Sequence, residues 1–474
     1  MEKGTEKMSN VKITACPEWI LQEEPEQAVK LSAGVYLRRL DALIERMDET
    51  DTDFVVIYGD REHFANIEYF TRYDCRFEEG LFIVSRNGNR TIVVGNEGEA
   101  YSKFIPYPVE RIVYRHFSLQ GQPRNGIQKL RDVYRQAGLK PDSRVGFVSV
   151  KYFEGDAADD PAHQFDAPEY MLTELYKVVD RANVVNYTRE ITGLPNGVRM
   201  RLREAEEIAF FEYQAAKAAN VVRRLLLAAK PGMSETDIAR HARTDLLPPM
   251  MHPLVNVTPE SLGLALASPQ HDCVMAGGEV FGICYSQRGS LCSKVGIAAR
   301  GEEGVSPRLK GKVESFYMPH WEAIARWLEA LQVGTTGDEL YRAAMDVIGD
   351  ERFGVFLNPG HAVGMDEWTN SCVYAGSEIA IHSGSSIQTD IIASSPDEVM
   401  VSICEDTVVV ADAELRAELQ RLYPDVYRRV QRRRAMMRET LGIRVSDDVL
   451  PLTALVGVMF PYMLDTTRVY ALEN

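Results

Sequence analysis

The side chains best suited to chemistry are histidines and carboxylates in the C-terminal half of the chain. His361 lies in the glycine-flanked segment NPGHAVG, and Asp390 and Glu405 lie in β-rich stretches that follow it. An imidazole exchanges protons near neutral pH. Hard divalent ions bind carboxylate oxygens and can add an imidazole ligand. These residue types therefore allow acid–base chemistry or metal binding, and by themselves they leave both open.

The composition is that of a large globular protein. The chain has 474 residues, 45% of them hydrophobic and 26% charged, which is enough for two domains with their own cores. Its net charge of -16 disfavours nucleic acid and anionic membranes as partners. Seven scattered cysteines without a C-x-x-C pair are typical of reduced thiols. The first ten residues are polar, and no apolar tract is long enough for a membrane span. We therefore expect a cytoplasmic protein.

The elements that must position these side chains fall into a series of segments. Residues 1–30 form an N-terminal arm, and residues 31–190 alternate strands and helices, which predicts an α/β domain. Within it, Asn87 and Gly88 favour a hairpin turn between strands at 81–84 and 91–94. Residues 191–203, with Pro, Gly and Arg, form the linker. A second domain spans 204–440, and 441–474 are an apolar C-terminal extension.

The second domain contains two segments that echo each other. Ser234 with Asp237, and Thr336 with Glu339, have the spacing of capping boxes at helix starts. Each pair follows a long amphipathic helix, at 204–228 and 313–331, which suggests two similar halves; chance is the alternative, because such caps are common. Strands are expected at 379–382, 386–392 and 399–410. An arginine-rich helix at 427–438 is interpreted as a solvated helix face.

Several segments in order resemble the creatinase/Xaa-Pro aminopeptidase family from Tyr36 to about Leu415. They are FVVIYGD, LREAEEIAFFEYQAAKAAN, AKPGMSETDIA, SPQHDCVMAGGEVF, NPGHAVG and SICEDTVVV. The resemblance implies an α/β N-terminal domain followed by an α+β "pita-bread" domain with an internal pseudo-twofold repeat. It also implies a homodimer acting on a small-molecule substrate.

Metal-dependent members of that family hold two divalent ions with five ligands. Two are aspartates on a hairpin, yet residues 280–301 contain neither Asp nor Glu. The two positions fall among Ile283, Cys284, Ser293 and Lys294, and a lysine there would repel a metal pair. The resemblance places His361, Asp390 and Glu405 at the other three positions. We therefore expect no metal and no cofactor.

Creatinase itself, within the family, works without metal and uses a histidine as general acid and base. The resemblance places that histidine at His271 in SPQHDCV, with His361 orienting substrate or stabilising charge and Glu405 completing the catalytic set. It places Arg76 and Phe77 of the N-terminal domain near the substrate. Substrate binding is further assigned to the side chains that would make the pocket acidic or aromatic: Glu367, Trp368 and Asp390. With Asp366 nearby, such a pocket favours a cationic substrate stacked on the indole.

The sequence thus predicts a metal-independent, creatinase-like hydrolase or lyase that cleaves a C–N bond of a small cationic or zwitterionic molecule. A second hypothesis is a non-catalytic protein that uses the pita-bread cleft to bind a ligand. A third is an Xaa-Pro aminopeptidase-like enzyme with an altered metal site. Turnover by a His271→Ala variant and metal analysis distinguish the three.

Overall fold

The computed structural model describes residues 10–473, except residues 26, 125, 156–157, 245–247, 264–265 and 396–398. Most of the polar N-terminal segment considered for a signal sequence lies outside the described residues. The chain divides into two compact units: Leu31–Met200, and a unit that joins Met1–Lys30 to Arg201–Asn474. No described helix combines the length and the apolar character needed to cross a membrane.

The unit Leu31–Met200 is a six-stranded mixed sheet with helices. Its helices are Ala33–Glu49, Ala65–Thr71, Asn96–Tyr101, Leu130–Gln136, Glu169–Leu175 and Thr188–Thr192. The strands, in their order across the sheet, are Glu110–Val113, Arg90–Val94, Gly80–Ser85, Phe54–Gly59, Val145–Val148 and Val184–Asn186. The hairpin predicted at Asn87-Gly88 is present, and Gly88 has the positive φ that the turn requires.

The second unit contains the candidate chemical side chains. Its helices are Ala205–Ala228, Glu235–Ala239, Pro259–Gly263, Met318–Ala330, Gly337–Ile348, Ala413–Leu422 and Pro424–Glu439. Its strands are Val11–Ala15, Leu254–Asn256, Val280–Gln287, Ser290–Ile297, His361–Ala362, Ser385–Gln388, Ala393–Ser394, Val401–Glu405, Thr407–Val410, Val449–Pro451 and Arg468–Leu472.

Three antiparallel sheets organise these strands. The first has five strands, in the order Ala393–Ser394, Val401–Glu405, Ser290–Ile297, Val280–Gln287, Leu254–Asn256. The second has four, in the order His361–Ala362, Ser385–Gln388, Thr407–Val410, Val449–Pro451. The third pairs Val11–Ala15 of the N-terminal arm with Arg468–Leu472 of the C-terminal extension. Backbone pairing therefore joins these two segments, which are far apart in sequence.

Some predicted elements differ from the structure. The stretch 399–410 is two strands in two sheets, because the chain passes from one sheet to the other at Asp406. Residues 379–382 form no strand, only an isolated bridge at Ala380. The helix expected from residue 313 begins as a π-helical turn, Val313–Tyr317, and becomes regular at Met318–Ala330. Pro319 lacks the N–H of a regular helical bond, which favours a break there.

The arginine-rich helix is only in part the solvated face that the sequence suggested: Arg428, Arg432 and Arg438 are exposed, whereas Arg433 and Arg434 are buried. Arg433 is fully buried, and its guanidinium lies 2.7 Å from Glu212 and 2.6 Å from Glu23. Arg429 makes a bidentate contact with Glu212, through bonds of 2.8 and 2.7 Å. Arg429 and Arg433 therefore tie this helix to the helix Ala205–Ala228, and Arg433 also ties it to the N-terminal arm.

Candidate functional site

Strand pairing brings three of the predicted side chains to one place. His361 begins a strand of the four-stranded sheet and pairs with Gln388. Asp390 follows two residues after that partner. Glu405 ends its strand in the five-stranded sheet opposite Ser293. The candidate site thus forms where the two sheets meet, and residues distant in sequence are held by the backbone of regular strands.

The centre of the site is the imidazole of His361, which is 1% exposed. Its Nε2 lies 3.1 Å from Glu367 Oε1, 3.8 Å from Asp390 Oδ2 and 3.8 Å from Glu405 Oε1. Its other nitrogen, Nδ1, donates to the carbonyl of Ala362 at 3.2 Å. This bond selects the orientation in which Nε2 faces the carboxylates.

An aromatic ring covers the imidazole. The indole of Trp368 stacks on His361 with ring centroids 4.0 Å apart and an interplanar angle of 18°. The same indole is 40% exposed and lines the cavity described below. Trp368 therefore presents an aromatic surface to a ligand and holds His361 in place.

Burial and mutual charge shift the protonation of the cluster. Burial acts to lower the pKa of His361, but the facing carboxylates of Glu367 and Glu405 outweigh it and raise this pKa to about 10. Burial, with the charge of Glu405, raises the pKa of Asp390 well above its usual value. Burial also raises the pKa of Glu405. The cluster therefore retains protons at neutral pH that isolated carboxyl groups would lose.

The three carboxylates of the cluster and Trp368 line a cavity of about 740 Å³, and His361 itself is not among its lining residues. Most of its lining is apolar, and the polar lining includes Cys284, Ser293 and the three carboxylates. The large apolar side chains of the wall include Met250, Met251, Leu254, Leu262, Leu266, Leu291, Phe356, Leu357, Ile392, Val399, Val401 and Ile403. A pocket of this volume, with an apolar wall and a few convergent polar groups, is typical of a small-molecule site.

The resemblance placed the two aspartate positions among Ile283, Cys284, Ser293 and Lys294, and of these the first three line the cavity. Cys284 and Ser293 pair with each other across the hairpin. Burial raises the pKa of the Cys284 thiol well above its usual value, so it is neutral. Neither side chain supplies a carboxylate oxygen. The residues present therefore do not fit a two-metal centre with five ligands.

Lys294 does not face the cavity, which corrects the expectation that it would repel a metal there. Its ammonium is buried behind the hairpin, 2.5 Å from Asp406 Oδ2. It also donates to the carbonyl of Leu455 at 3.0 Å and to Cys404 Sγ at 3.1 Å. Because side chains alternate between the faces of a strand, Lys294 lies opposite its neighbour Ser293. Its charge is neutralised there by Asp406, so it does not offset the negative charge of the carboxylates that line the cavity.

One group of side chains has the geometry to hold a single metal ion. Ligand atoms of His361, Glu367 and Glu405 all lie within 4.8 Å of one another. Among the described residues, no other group of three or more His, Cys, Asp or Glu side chains has its ligand atoms this close together. Glu367 comes from the loop after NPGHAVG, and the resemblance had not placed a ligand there.

The remaining predicted residues are not part of this cluster. His271 is exposed on a loop, where its Nδ1 lies 3.1 Å from Thr236 Oγ1, and it is not among the residues that line the cavity. Arg76 and Phe77 belong to the unit Leu31–Met200. Arg76 Nε donates to Asp74 at 2.7 Å, and Phe77 is 78% exposed. Their proposed roles stay predictions.

The sequence analysis did not include Gln388 or the apolar wall in the site. Gln388 donates to Glu405 Oε1 at 3.0 Å and so fixes that carboxylate. Its spacing of two residues from Asp390 was a usable signal, since alternate residues of a strand share a face. The methionines Met250 and Met251 precede a three-residue strand, and no local pattern marked them as part of a cavity wall.

Comparison with known proteins identifies the fold. No protein-family model and no curated protein matches the chain. Solved structures do match. An Xaa-Pro dipeptidase from Bacillus anthracis is 15% identical, covering 80% of this chain and 96% of its own, with a TM-score of 0.59. The prolidase from Pyrococcus horikoshii OT3 is 18% identical over 79% and 95%, with a TM-score of 0.58.

A third match is the X-Pro aminopeptidase from Thermotoga maritima MSB8. It is 15% identical over 78% of this chain and 94% of its own, with a TM-score of 0.57. The chain therefore has the pita-bread fold of these proteins. At such identity the likeness establishes the fold alone. The creatinase-like branch stays a prediction, since these matches are an Xaa-Pro dipeptidase, a prolidase and an X-Pro aminopeptidase.

Proposed function

We propose that the protein is a hydrolase that cleaves a C–N bond in a small cationic or zwitterionic molecule with an apolar part. The observation that carries this proposal is the group of three carboxylates, Glu367, Asp390 and Glu405, that line an otherwise apolar cavity and face the buried imidazole of His361. Titratable groups with shifted pKa in a cleft are characteristic of catalytic sites. The fold shared with the Xaa-Pro dipeptidase and prolidase structures supports the same reaction class.

The cavity favours a substrate with two different ends. Its floor carries more carboxylates than cationic groups, so it attracts a basic nitrogen. The exposed face of Trp368 can stack on such a cation. The wall offers Leu, Ile, Val, Met and Phe side chains to an apolar group of the same molecule. An Xaa-Pro dipeptide and a guanidino acid such as creatine both have a charged nitrogen, and the dipeptide better fills the apolar wall.

The residues of the cluster divide the chemistry between them. The imidazolium of His361 is buried beside the cavity and faces the three carboxylates through Nε2, where it stabilises their negative charge. Asp390 is placed to pass a proton between the attacking water and the leaving nitrogen, because burial, with the charge of Glu405, raises the pKa of its carboxyl group. Glu405, bonded to Gln388, and Glu367 orient the imidazole.

This assignment exchanges the roles that the sequence analysis gave to Asp390 and Glu405. Asp390 Oδ1 is buried and has no hydrogen-bond partner among the described residues, whereas Glu405 Oε1 is held by an amide. A free carboxyl oxygen is better placed to exchange a proton with water or substrate. The role predicted for His271 is a separate proposal, which the same experiment tests.

The experiment incubates the full-length protein with Xaa-Pro dipeptides and with creatine, and measures the released products by mass spectrometry. We expect turnover of at least one substrate, reduced about 100-fold or more in Asp390→Asn. Glu439→Gln, an exposed carboxylate at the end of its helix, is the matched control and should retain full turnover. Undiminished turnover by Asp390→Asn contradicts the assignment, and a complete loss in His271→Ala alone returns the catalytic role to that histidine. Binding of these compounds without turnover would instead support the hypothesis of a non-catalytic binding protein.

We also infer a cytoplasmic homodimer. All seven cysteines are free, as expected in a reducing compartment. The dimer is carried over from the family resemblance. Light scattering on the purified protein measures the mass directly, and a monomeric mass of 53.3 kDa at micromolar concentration would contradict the dimer.

A further inference from the structure

The charged side chains that line the cavity all have the same sign. Among the described residues, Glu367, Asp390 and Glu405 line it, and no Lys, Arg or His does. The imidazolium of His361, buried beside them, balances at most one of the three carboxylates. The other two need a proton or a cation, because an uncompensated buried charge is costly. A ligand with a basic nitrogen would supply that charge.

One carboxylate oxygen is free to accept a hydrogen bond from such a nitrogen. Asp390 is 6% exposed, and its Oδ1 has no hydrogen-bond partner among the described residues. Glu405 differs, because the amide of Gln388 donates to its Oε1. A buried acceptor without a donor costs free energy. The N–H of an ammonium or guanidinium group would remove this cost, whereas a carboxylate on the ligand has no proton to donate.

Two basic side chains next to the cavity lining already have acidic partners. Lys294 lies behind the hairpin, where its ammonium is bonded to Asp406. Arg308 donates to the backbone carbonyl of Val399, a residue of the lining, and its guanidinium is paired with Glu279. A carboxylate on the ligand would therefore enter an apolar cavity beside three groups of its own charge. Such a placement is unfavourable both through desolvation and through repulsion.

The lining also includes an exposed apolar rim. Leu266 and Phe356 line the cavity and are 68% and 69% exposed, and Leu357 and Val399 are each more than a third exposed. Exposed apolar side chains gathered at one cavity indicate a ligand or partner that covers them. The carboxylates of the same cavity require the occupant to carry positive charge as well. A volume of about 740 Å³ leaves room for a molecule with both parts.

We propose that the ligand of this cavity is an amphiphilic monocation without a carboxylate. Its basic nitrogen lies against the three carboxylates, and its apolar part extends to the rim formed by Leu266, Phe356, Leu357 and Val399. Because it takes this cavity as the substrate site, the proposal rests on the proposed function, and it narrows the substrate from cationic or zwitterionic to cationic. The amide of a hydrophobic amino acid or dipeptide belongs to this class, whereas the free acid and creatine do not.

Isothermal titration calorimetry with matched ligands tests the charge requirement and needs no turnover. Phenethylamine, phenylalanine and 3-phenylpropanoate share one aromatic group and carry a positive charge, both charges and a negative charge. Phenylalaninamide keeps the size of phenylalanine without its carboxylate. At about pH 6, where these amines are protonated, we expect phenethylamine and phenylalaninamide to bind the full-length protein at least about tenfold more tightly than phenylalanine. 3-Phenylpropanoate should give no measurable heat.

Two pairs of variants assign the binding to the cavity. Glu367→Gln removes a charge of the lining and should weaken phenethylamine binding, whereas Glu439→Gln removes an exposed charge elsewhere and should not. For n-alkylamines from butylamine to octylamine, affinity should rise by up to about fourfold per methylene as the chain covers the rim. Phe356→Ser should reduce this gain for the longest members. Leu227→Ser, an exposed leucine of the helix Ala205–Ala228, should not.

Turnover separates this proposal from the proposed function. Phenylalanyl-proline amide should be cleaved at its Phe–Pro bond with a kcat/KM at least about tenfold above that of phenylalanyl-proline. No binding of any amine, equal affinity for phenylalanine and phenylalaninamide, or an affinity independent of chain length would each overturn the proposal, even if hydrolysis occurs. The expected order of affinities without hydrolysis of any compound would leave it standing and contradict the proposed function alone.

Discussion

Replacing Lys294 with methionine should destabilise the protein through a single buried charge. Lys294 is 1% exposed, and its partner Asp406 is fully buried. The ammonium lies 2.5 Å from Asp406 Oδ2 and also donates to the Leu455 carbonyl. Burial lowers and the Asp406 carboxylate raises the pKa of Lys294, and the carboxylate prevails, so the pair is ionised. Methionine keeps the length of the side chain and removes only the charge and its hydrogen bonds.

The magnitude follows from the distance between the charges. At 2.5 Å and an effective dielectric constant of about 20, the attraction is about 7 kcal/mol. Desolvation of the two ions opposes it by several kcal/mol per ion, so the net contribution of the intact pair is small. Removal of one partner is different, because Asp406 would remain as an uncompensated buried carboxylate. We expect Lys294→Met to lower the free energy of unfolding by about 3–5 kcal/mol.

Urea unfolding followed by circular dichroism measures this loss, with calorimetry to resolve separate transitions of the two units. Lys310→Met removes an exposed ammonium and should change stability by less than about 0.5 kcal/mol. The double variant Lys294→Met with Asp406→Asn removes both charges and should recover most of the stability.

Two results would refute this reasoning. A Lys294→Met variant as stable as the wild type would show that the pair is not buried as described. A double variant as unstable as the single one would assign the loss to packing instead of charge.

The remaining predictions concern the cluster and the fold. Because the pKa of His361 is raised to about 10, its protonation stabilises the folded state fully below about pH 6.5, and this contribution is lost as the pH rises through about 10. The melting temperature of His361→Gln should therefore fall furthest below that of wild type at acidic pH, and a deficit independent of pH would contradict the shift. Gly337→Ala should destabilise by about 1–3 kcal/mol or more in thermal unfolding, since its Cβ would lie 1.8 Å from the Cys372 carbonyl oxygen. Gly304→Ala, with its nearest neighbour at 3.7 Å, is the control, and equal melting temperatures would refute the clash.

Local chemistry made much of the fold predictable. The capping boxes at Ser234 and Thr336 are both formed, since each depends on hydrogen bonds within four residues. The helix Ala205–Ala228 buries its apolar stripe as its periodicity predicted, and the hairpin at Gly88 is present. The helix predicted from Val313 is present, but its first turn is π-helical, since Pro319 lacks the N–H of a regular helical bond. The strand predicted at 379–382 is wrong, because these residues form only an isolated bridge at Ala380.

The composition of the site was only partly predictable. His361, Asp390 and Glu405 were identified through the ordered motifs of a resembling family. In the structure, carboxylate oxygens of Asp390 and Glu405 each lie 3.8 Å from His361 Nε2. The place of Glu367 beside them depends on the path of a loop. The apolar cavity wall is assembled from segments more than a hundred residues apart, so no short pattern could reveal it.

The sequence by itself determined which charges exist, and the tertiary structure decided which of them face the cavity. The absence of carboxylates from residues 280–301 could be read directly from the chain. Whether Lys294 enters the site or lies behind it depends on strand register, because a shift by one residue turns each side chain to the other face. Register is fixed here by pairing with strands over a hundred residues away, Ser293 with Glu405 and Lys294 with Cys404. That pairing places a lysine beside Asp406 and leaves His361 among carboxylates.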